Sequence, residues 1–145
     1  MGVGCEEFAR TKAPGLGRRL GAVGYDAILV VAVWFVATAA LLPFSGGEAI
    51  APGQGWYEAY LLAVAFGYFG WFWTHGGQTL GMRSWRIRLV GDARGGATWG
   101  QAGLRFAGAC ISWLAFGAGF LWVLVDRERL AWHDRFSGTR IADAP

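Results

Sequence analysis

A single carboxylate lies inside the first long apolar run of the chain. The run covers residues 18–42, starts with Arg18 and Arg19, and carries Asp26 seven residues after Arg19. It is long enough to cross a bilayer as one helix, since about 20 residues suffice. A charge at mid-membrane costs roughly 2.5 to 3.5 kcal/mol on insertion scales, so Asp26 needs compensation. Such a carboxylate either exchanges a proton or cation or forms a structural ion pair, and both interpretations stay open.

The partner of Asp26 is expected on another segment of the chain. Arg19 lies on the same helical face, but about 10 Å of helix rise separates the two residues, which is long for a direct bond. The candidate partners are the basic side chains of His75, Arg83, Arg105 and Arg135. We predict a polar site made of Arg19, Asp26, Arg105 and Asp134.

A tight polar turn follows the second apolar run and is a candidate support for this site. It reads His-Gly-Gly-Gln-Thr-Leu-Gly-Met-Arg over residues 75–83. The turn is either an ordinary membrane exit or a backbone-lined entry to Asp26. The possible supporting residues are Gln78, Thr79, Arg83 and His133.

Other chemistries have little support in the sequence. Two histidines and two cysteines, Cys5 and Cys110, show no metal-ligand spacing. No nucleophile elbow, phosphate-binding glycine loop or HExxH motif occurs. We therefore expect no enzyme activity, no metal and no cofactor.

The composition is typical of a small integral membrane protein. Hydrophobic residues make up 54% of the 145 residues and charged residues 16%, against about 25% in soluble domains. Gly (24 residues) and Trp (9 residues) are frequent, as they are in membrane helices and at membrane interfaces. The basic residues behind the net charge of +3 flank apolar runs, so we expect lipid contact and no nucleic-acid binding.

The sequence predicts an all-α membrane protein with one domain. Residues 1–17 are polar and predict a disordered cytoplasmic tail, whereas residues 18–143 form the membrane domain. Two full transmembrane helices are predicted near residues 20–42 and 56–73. The third hydrophobic segment, residues 106–125, contains a glycine-rich interruption and is either a re-entrant hairpin or a third span.

The distribution of basic residues favours the hairpin. Four precede the first span, none lies in the next loop, five lie between the second and third apolar segments, and four follow the third. A third full crossing would place the last four outside, against the positive-inside rule. A bend at residues 117–119 would return the chain to the cytoplasm, since Gly tolerates the required backbone angles. The returning residues 139–142 would then pair with residues 85–90 as a short cytoplasmic two-stranded ladder.

Thr98 and Gln101 have capping-box spacing and predict a helix start.

Several short motifs occur in a fixed order. They are Arg19 with Asp26, the Gly-Gln-Thr-Leu-Gly block at 77–81 with Arg83 and residues 86–90, Leu104 with Arg105, residues 119–122, and Asp134 within 133–139. Over roughly residues 16–143 this ordered set resembles the RDD family of small bacterial membrane proteins, which is named for one Arg and two Asp. Arg19, Asp26 and Asp134 match those three residues. The chain departs from the family's pattern at one position, where Met82 stands in place of a common basic residue. If that basic residue pairs with a carboxylate, Arg83 must take its place in this chain.

The resemblance implies a multi-pass protein of the cell membrane without a firmly known activity, for which a cation/proton transport role has been proposed. Our first hypothesis is a small oligomeric transport module in which Asp26 binds a proton or cation. Because two or three crossings enclose little space, a homo-oligomer or other membrane proteins would be needed. The alternative is a non-catalytic assembly or anchoring module in which Arg19, Asp26 and Asp134 form a structural polar network. We expect the N-terminus in the cytoplasm.

Overall fold

The computed structural model describes residues 13–91 and 97–144 and is mainly helical. The helices are α1 (Leu16–Leu41), α2 (Gly55–Thr74), α3 (Leu80–Ser84), α4 (Trp99–Leu114), α5 (Ala118–Leu121) and α6 (Trp132–Ser137). Two 3₁₀ turns, Leu42–Ser45 and Trp122–Leu124, extend α1 and α5. The strands are β1 (Ile87–Val90) and β2 (Arg140–Asp143). Most of the predicted tail lies outside the described residues, and its last two residues already belong to α1.

Helix α1 has the length and composition of a membrane span. With its 3₁₀ turn it forms a unit of 30 residues whose most apolar window has a mean hydropathy of 2.5 and is only 6% buried. Large apolar side chains of α1 are exposed, and Phe35, for example, is 80% exposed. A continuous exposed apolar surface of this kind suits contact with lipid rather than water. The first predicted span is thus a clear candidate membrane helix.

Helix α2 runs antiparallel to α1, and polar side chains connect the two. Trp34 donates its indole N–H to the carbonyl of Leu61 at 2.8 Å, and the hydroxyls of Thr38 and Tyr57 lie 2.7 Å apart. At 20 residues α2 is about 30 Å long, the thickness of a hydrocarbon core. Its Gly, Tyr and Trp residues lower its mean hydropathy, so composition alone identifies α1 but not α2 as a span.

The third hydrophobic segment is bent, as the glycines predict. Helix α4 and the α5 unit meet at 105°. Gly117 takes the left-handed conformation at φ 76°, which Gly adopts without steric cost. Gly119 then allows α5 to approach α4 closely, because a Cβ there would overlap the hydroxyl of Ser112. The bend returns the chain along α4, and α6 packs against Gly108 through His133.

The returning chain completes a small compact region that we call the cap, formed by α3, β1, β2 and α6. The predicted ladder is present: β1 and β2 pair antiparallel, with Ile87 opposite Asp143 and Val90 opposite Arg140. The predicted capping box of Thr98 and Gln101 is also present, and it starts α4 at Trp99. The apolar core lies where the cap meets the helices. Its buried members are Ala22, Trp73, Met82, Ile87, Leu89, Ala97, Ala102 and Ile141.

Candidate functional site

Two arginines from different helices bind one carboxylate of the cap. Asp134, in the first turn of α6, receives hydrogen bonds from Nη1 of Arg19 at 2.7 Å and from Nη1 of Arg105. The backbone N–H of Ala131 donates to the same carboxylate at 3.0 Å. Asp134 is 1% exposed, and both arginines are equally hidden. We call Arg19, Arg105 and Asp134 the clamp, since they join α1, α4 and α6.

Further hydrogen bonds hold the clamp in place. Arg19 also donates to the carbonyl of Arg129 at 3.0 Å, and Arg105 donates to the hydroxyl of Thr139 at 3.1 Å. The hydroxyls of Ser137 and Thr139 lie 2.6 Å apart. Each guanidinium therefore bonds both the carboxylate and a neutral acceptor, which fixes its orientation.

The charges of the clamp control the titration of the cap, which lies outside the long apolar helices. Burial alone would raise the pKa of Asp134, but the neighbouring Arg105 and Arg19 outweigh it and hold that pKa well below its usual range. Burial, and then the positive charge of Arg105, lower the pKa of His133 from 6.5 to about 3. Asp134 is thus ionised and His133 neutral at physiological pH. The clamp carries two positive charges and one negative charge.

Asp26 occupies a different and neutral environment. Its carboxylate accepts hydrogen bonds from the hydroxyl of Thr79, from the backbone N–H of Gly81 at 2.9 Å and from the hydroxyl of Tyr68 at 3.2 Å. The residue is 3% exposed. Thr79 is the N-cap of α3, where its hydroxyl also accepts from the N–H of Met82 at 3.2 Å. Asp26 is therefore bonded by three neutral donors.

Gly81 makes this arrangement possible. A Cβ at this position would overlap the carbonyl oxygen of Ala22 and crowd the Asp26 carboxylate. Glycine thus lets α3 lie directly against α1, so that a backbone N–H can reach a side chain in the apolar helix. Within the Gly-Gln-Thr-Leu-Gly block, Thr79 and Gly81 are thus direct hydrogen-bond partners of Asp26.

None of the four basic residues considered as partners forms an ion pair with Asp26 in the described part of the chain. Arg105 bonds Asp134, and Arg135 bonds Asp126 at 2.6 Å. His75 is exposed and stacks on Trp71, with 4.1 Å between ring centres. Arg83 is exposed at the last turn of α3. Arg83 pairs with no carboxylate among the described residues, and Met82, where the resemblance implies a basic residue, is buried in the core.

The other supporting residues have distinct positions. Gln78 donates to the carbonyl of Ile87 at 3.0 Å and so ties the turn to β1. His133 lies beside the clamp, with its Nε2 atom 3.7 Å from Asp134. Reasoning from the sequence did not identify Tyr68 or Gly81 as hydrogen-bond partners of Asp26. A tyrosine inside an apolar run was the available signal for Tyr68, because its hydroxyl needs a partner when buried.

A cavity of about 150 Å³ connects the clamp with the Asp26 site. Arg19 and Arg105 line it on the clamp side, and Asp26 and Thr79 line it on the other side. Aromatic and aliphatic side chains form most of the remaining wall. They include Val23, Phe69, Trp73, Phe106, Trp113 and Phe120. Both carboxylate sites thus border one largely apolar space.

A bilayer-length apolar helix, a bent pair of apolar helices and a buried Arg/Asp network define a small helical membrane protein. The model of the RDD family matches residues 13–138, and the chain belongs to the RDD family. Arg19, Asp26 and Asp134, which the resemblance assigns to the Arg and the two Asp of the family name, lie within this range. The structure bonds Arg19 to Asp134, while Asp26 has separate partners. Comparisons with the curated proteins and with the solved structures found no match.

Proposed function

We propose that the chain is the protomer of a small membrane transporter that exchanges protons and cations at Asp26. The observation that carries this proposal is the buried carboxylate of Asp26, which lies in the apolar helix and has only neutral hydrogen-bond donors around it among the described residues. Its charge has no fixed counter-charge in direct contact. A proton or a metal cation entering from the cavity would supply one, and ionisable residues inside membrane segments are rare and commonly mark ion pathways.

The contrast with Asp134 supports this assignment. Two guanidinium groups hold Asp134 as a permanent anion, so it is poorly suited to take up and release a proton. The clamp instead fixes the helices around the cavity. Of these two aspartates, Asp26 is therefore the one that is suited to exchange a proton or a cation.

The proposed topology has two spans and a returning segment. Helices α1 and α2 cross the membrane, and the 105° bend turns α4 and α5 back as a re-entrant pair. The cap and the N-terminus then share the cytoplasmic side, where the positive-inside rule favours Arg-rich segments. The clamp supports this arrangement, because it joins the first turn of α1 and the middle of α4 to α6.

We also propose that the working form is a homo-oligomer. Asp26 is buried within one protomer, so it needs no second copy to shield it from lipid. However, three apolar segments of which one is bent enclose little space for a polar path. Packing of two or more copies would provide a continuous path to the opposite membrane surface.

Asp26→Asn is a suitable test because the structure can keep its hydrogen bonds. The amide oxygen can accept from Gly81 and Tyr68, and the amide NH₂ can donate to the hydroxyl of Thr79, which has a second lone pair. The variant thus removes the exchangeable charge with little change in packing. Wild type in vesicles loaded with a pH-sensitive dye should move protons when Na⁺ or K⁺ is added outside. Asp26→Asn should abolish this flux, whereas the matched variant Asp143→Asn at the exposed Arg18 pair should keep it.

A second function is supported by the clamp itself. A buried network that ties three helices together is what a non-catalytic assembly or anchoring module needs. In that case the wild type moves no protons under any cation gradient, and Asp26→Asn lowers the amount of folded protein in the membrane. Absence of flux together with loss of folded Asp26→Asn protein would favour this second function over transport.

A further inference from the structure

The clamp leaves buried hydrogen-bond donors unused at the wall of the cavity. The Nε atoms of Arg19 and Arg105 and the indole nitrogen of Trp73 have no hydrogen-bond partner among the described residues. All three side chains are more than nine-tenths buried and line the same cavity. Arg105 also lies over the ring of Trp73, with 5.2 Å from its guanidinium carbon to the ring centre. The Nδ1 atom of His133, which also lines the cavity, has no partner in the described part of the chain either. Such a group of unpaired polar atoms around one space is unusual, since buried polar groups are generally paired.

The unpaired N–H groups and the net positive charge of the clamp favour a ligand that accepts hydrogen bonds and carries a negative charge. Arg19 and Arg105 share one carboxylate, Asp134, so the clamp itself has an excess of one positive charge, while Asp26 lines the opposite side of the cavity. Neither Arg Nε nor Trp Nε1 can accept a hydrogen bond. A metal cation would be repelled at this end, whereas a carboxylate would satisfy the free N–H groups.

The size and the wall of the cavity restrict the rest of the ligand. A cavity of about 150 Å³ holds a molecule about as large as a benzene ring. Phe69, Phe106 and Phe120 make its wall apolar, so a strongly hydrated inorganic anion would lose its water without replacement. On α4 the lining includes Trp113, which is 63% exposed on the apolar outer surface. One residue of the cavity wall therefore lies at the outer surface of the helices.

From these observations we propose that the cavity binds a small apolar monocarboxylate, with its carboxylate against Arg19, Arg105 and Trp73 and its hydrocarbon part among the phenylalanines. The ligand is either a free short-chain or aromatic acid or the head of a longer fatty acid entering from the membrane. This inference concerns the clamp end of the cavity and does not depend on ion exchange at Asp26.

Binding of benzoate to the purified full chain in an uncharged detergent tests the proposal. Titration calorimetry should show saturable binding with one site per chain, and benzyl alcohol should bind at least about tenfold more weakly because it lacks the charge. Butanoate and decanoate distinguish the two sources of ligand. Tighter binding of butanoate indicates a free small acid, and tighter binding of decanoate indicates a fatty acid.

Trp73→Phe is the informative variant, because it removes the indole N–H and keeps an aromatic ring under Arg105. Benzoate binding should weaken about tenfold, the effect of one hydrogen bond to a charged group. Trp71→Phe is the matched control on the same helix, outside the cavity, and should leave binding unchanged. If Trp73→Phe lowers the unfolding temperature, Ala109→Leu serves instead, since the larger side chain fills the cavity and should abolish binding in folded protein.

Three results would overturn the proposal. They are the absence of saturable benzoate binding by folded wild type, equal affinity for benzoate and benzyl alcohol, and equal affinity of Trp73→Phe, Trp71→Phe and Ala109→Leu. Proton flux is not measured here, so failure of this proposal and failure of cation exchange are distinguishable.

Discussion

Asp134→Asn should destabilise the protein more than any other single charge removal in the described cap. The substitution keeps the shape of the side chain but leaves the guanidinium groups of Arg19 and Arg105 buried without a counter-charge. Breaking a buried pair in this way costs about 3 to 5 kcal/mol. Since a typical domain has a free energy of unfolding of about 5 to 15 kcal/mol, this loss removes a large part of the total.

The assay is thermal unfolding in mild detergent, combined with the amount of folded protein recovered from membranes. Asp143→Asn is the matched control, because Asp143 pairs with Arg18 at the surface, where both side chains are about two-fifths exposed. Such a pair contributes about 0 to 1 kcal/mol. Equal unfolding temperatures for Asp134→Asn and Asp143→Asn would refute the structural role of the clamp.

A compensated variant separates charge from packing. Replacing all three clamp residues together, Arg19→Met, Arg105→Met and Asp134→Leu, removes every unpaired charge and keeps the volume apolar. Apolar replacement of a complete buried ion network is often neutral or stabilising. We expect this triple variant to be more stable than Asp134→Asn alone. A triple variant that unfolds at a lower temperature than Asp134→Asn would show that the loss comes from packing rather than from unpaired charge.

Two further predictions concern the two polar sites separately. Gly81→Ala should lower the free energy of unfolding by about 1 to 3 kcal/mol, since its Cβ overlaps the carbonyl of Ala22. The control Gly103→Ala in α4 meets no atom within 4 Å and should be neutral or slightly stabilising. Equal thermal stability of the two variants would contradict the close approach of α3 to α1. The second prediction follows from the low pKa of His133. Between pH 6.5 and 4.5 the unfolded imidazole binds a proton that the native one, with a pKa of about 3, does not, so stability should fall as pH decreases, by roughly 2 to 3 kcal/mol. Asp134 stays ionised in this window because its pKa is held low by the neighbouring arginines. His133→Gln should therefore flatten the profile, and an unchanged profile would show that another group titrates.

The helices and the return of the chain could be predicted because their causes are local. Apolar length predicts α1, the glycines at 117 and 119 predict the bend, and the Thr98–Gln101 spacing predicts the start of α4. The distribution of arginines indicated that the C-terminal end returns, and this return is what brings Asp134 to Arg19. Each of these inferences rests on a pattern within one segment or on the sign of its charges.

The environment of Asp26 could not be predicted in the same way. The search for its partner considered basic side chains, but the structure supplies two hydroxyls and a backbone N–H. Neutral donors cannot be recognised from the pattern of charges in the sequence. A backbone N–H leaves no signature in the sequence either, apart from the glycine that allows it to approach Asp26. The cavity depends on how side chains from all six helices and both strands pack, which no local pattern specifies.

The most direct test measures proton flux and stability on the same preparations of wild type and Asp26→Asn. Equal amounts of folded protein are reconstituted into vesicles, and proton movement is followed after addition of Na⁺ or K⁺ while thermal unfolding is recorded in parallel. We expect Asp26→Asn to unfold within a few degrees of wild type and to show no cation-driven proton flux. Flux in Asp26→Asn equal to that of wild type would contradict the assignment of Asp26 as the exchanging group.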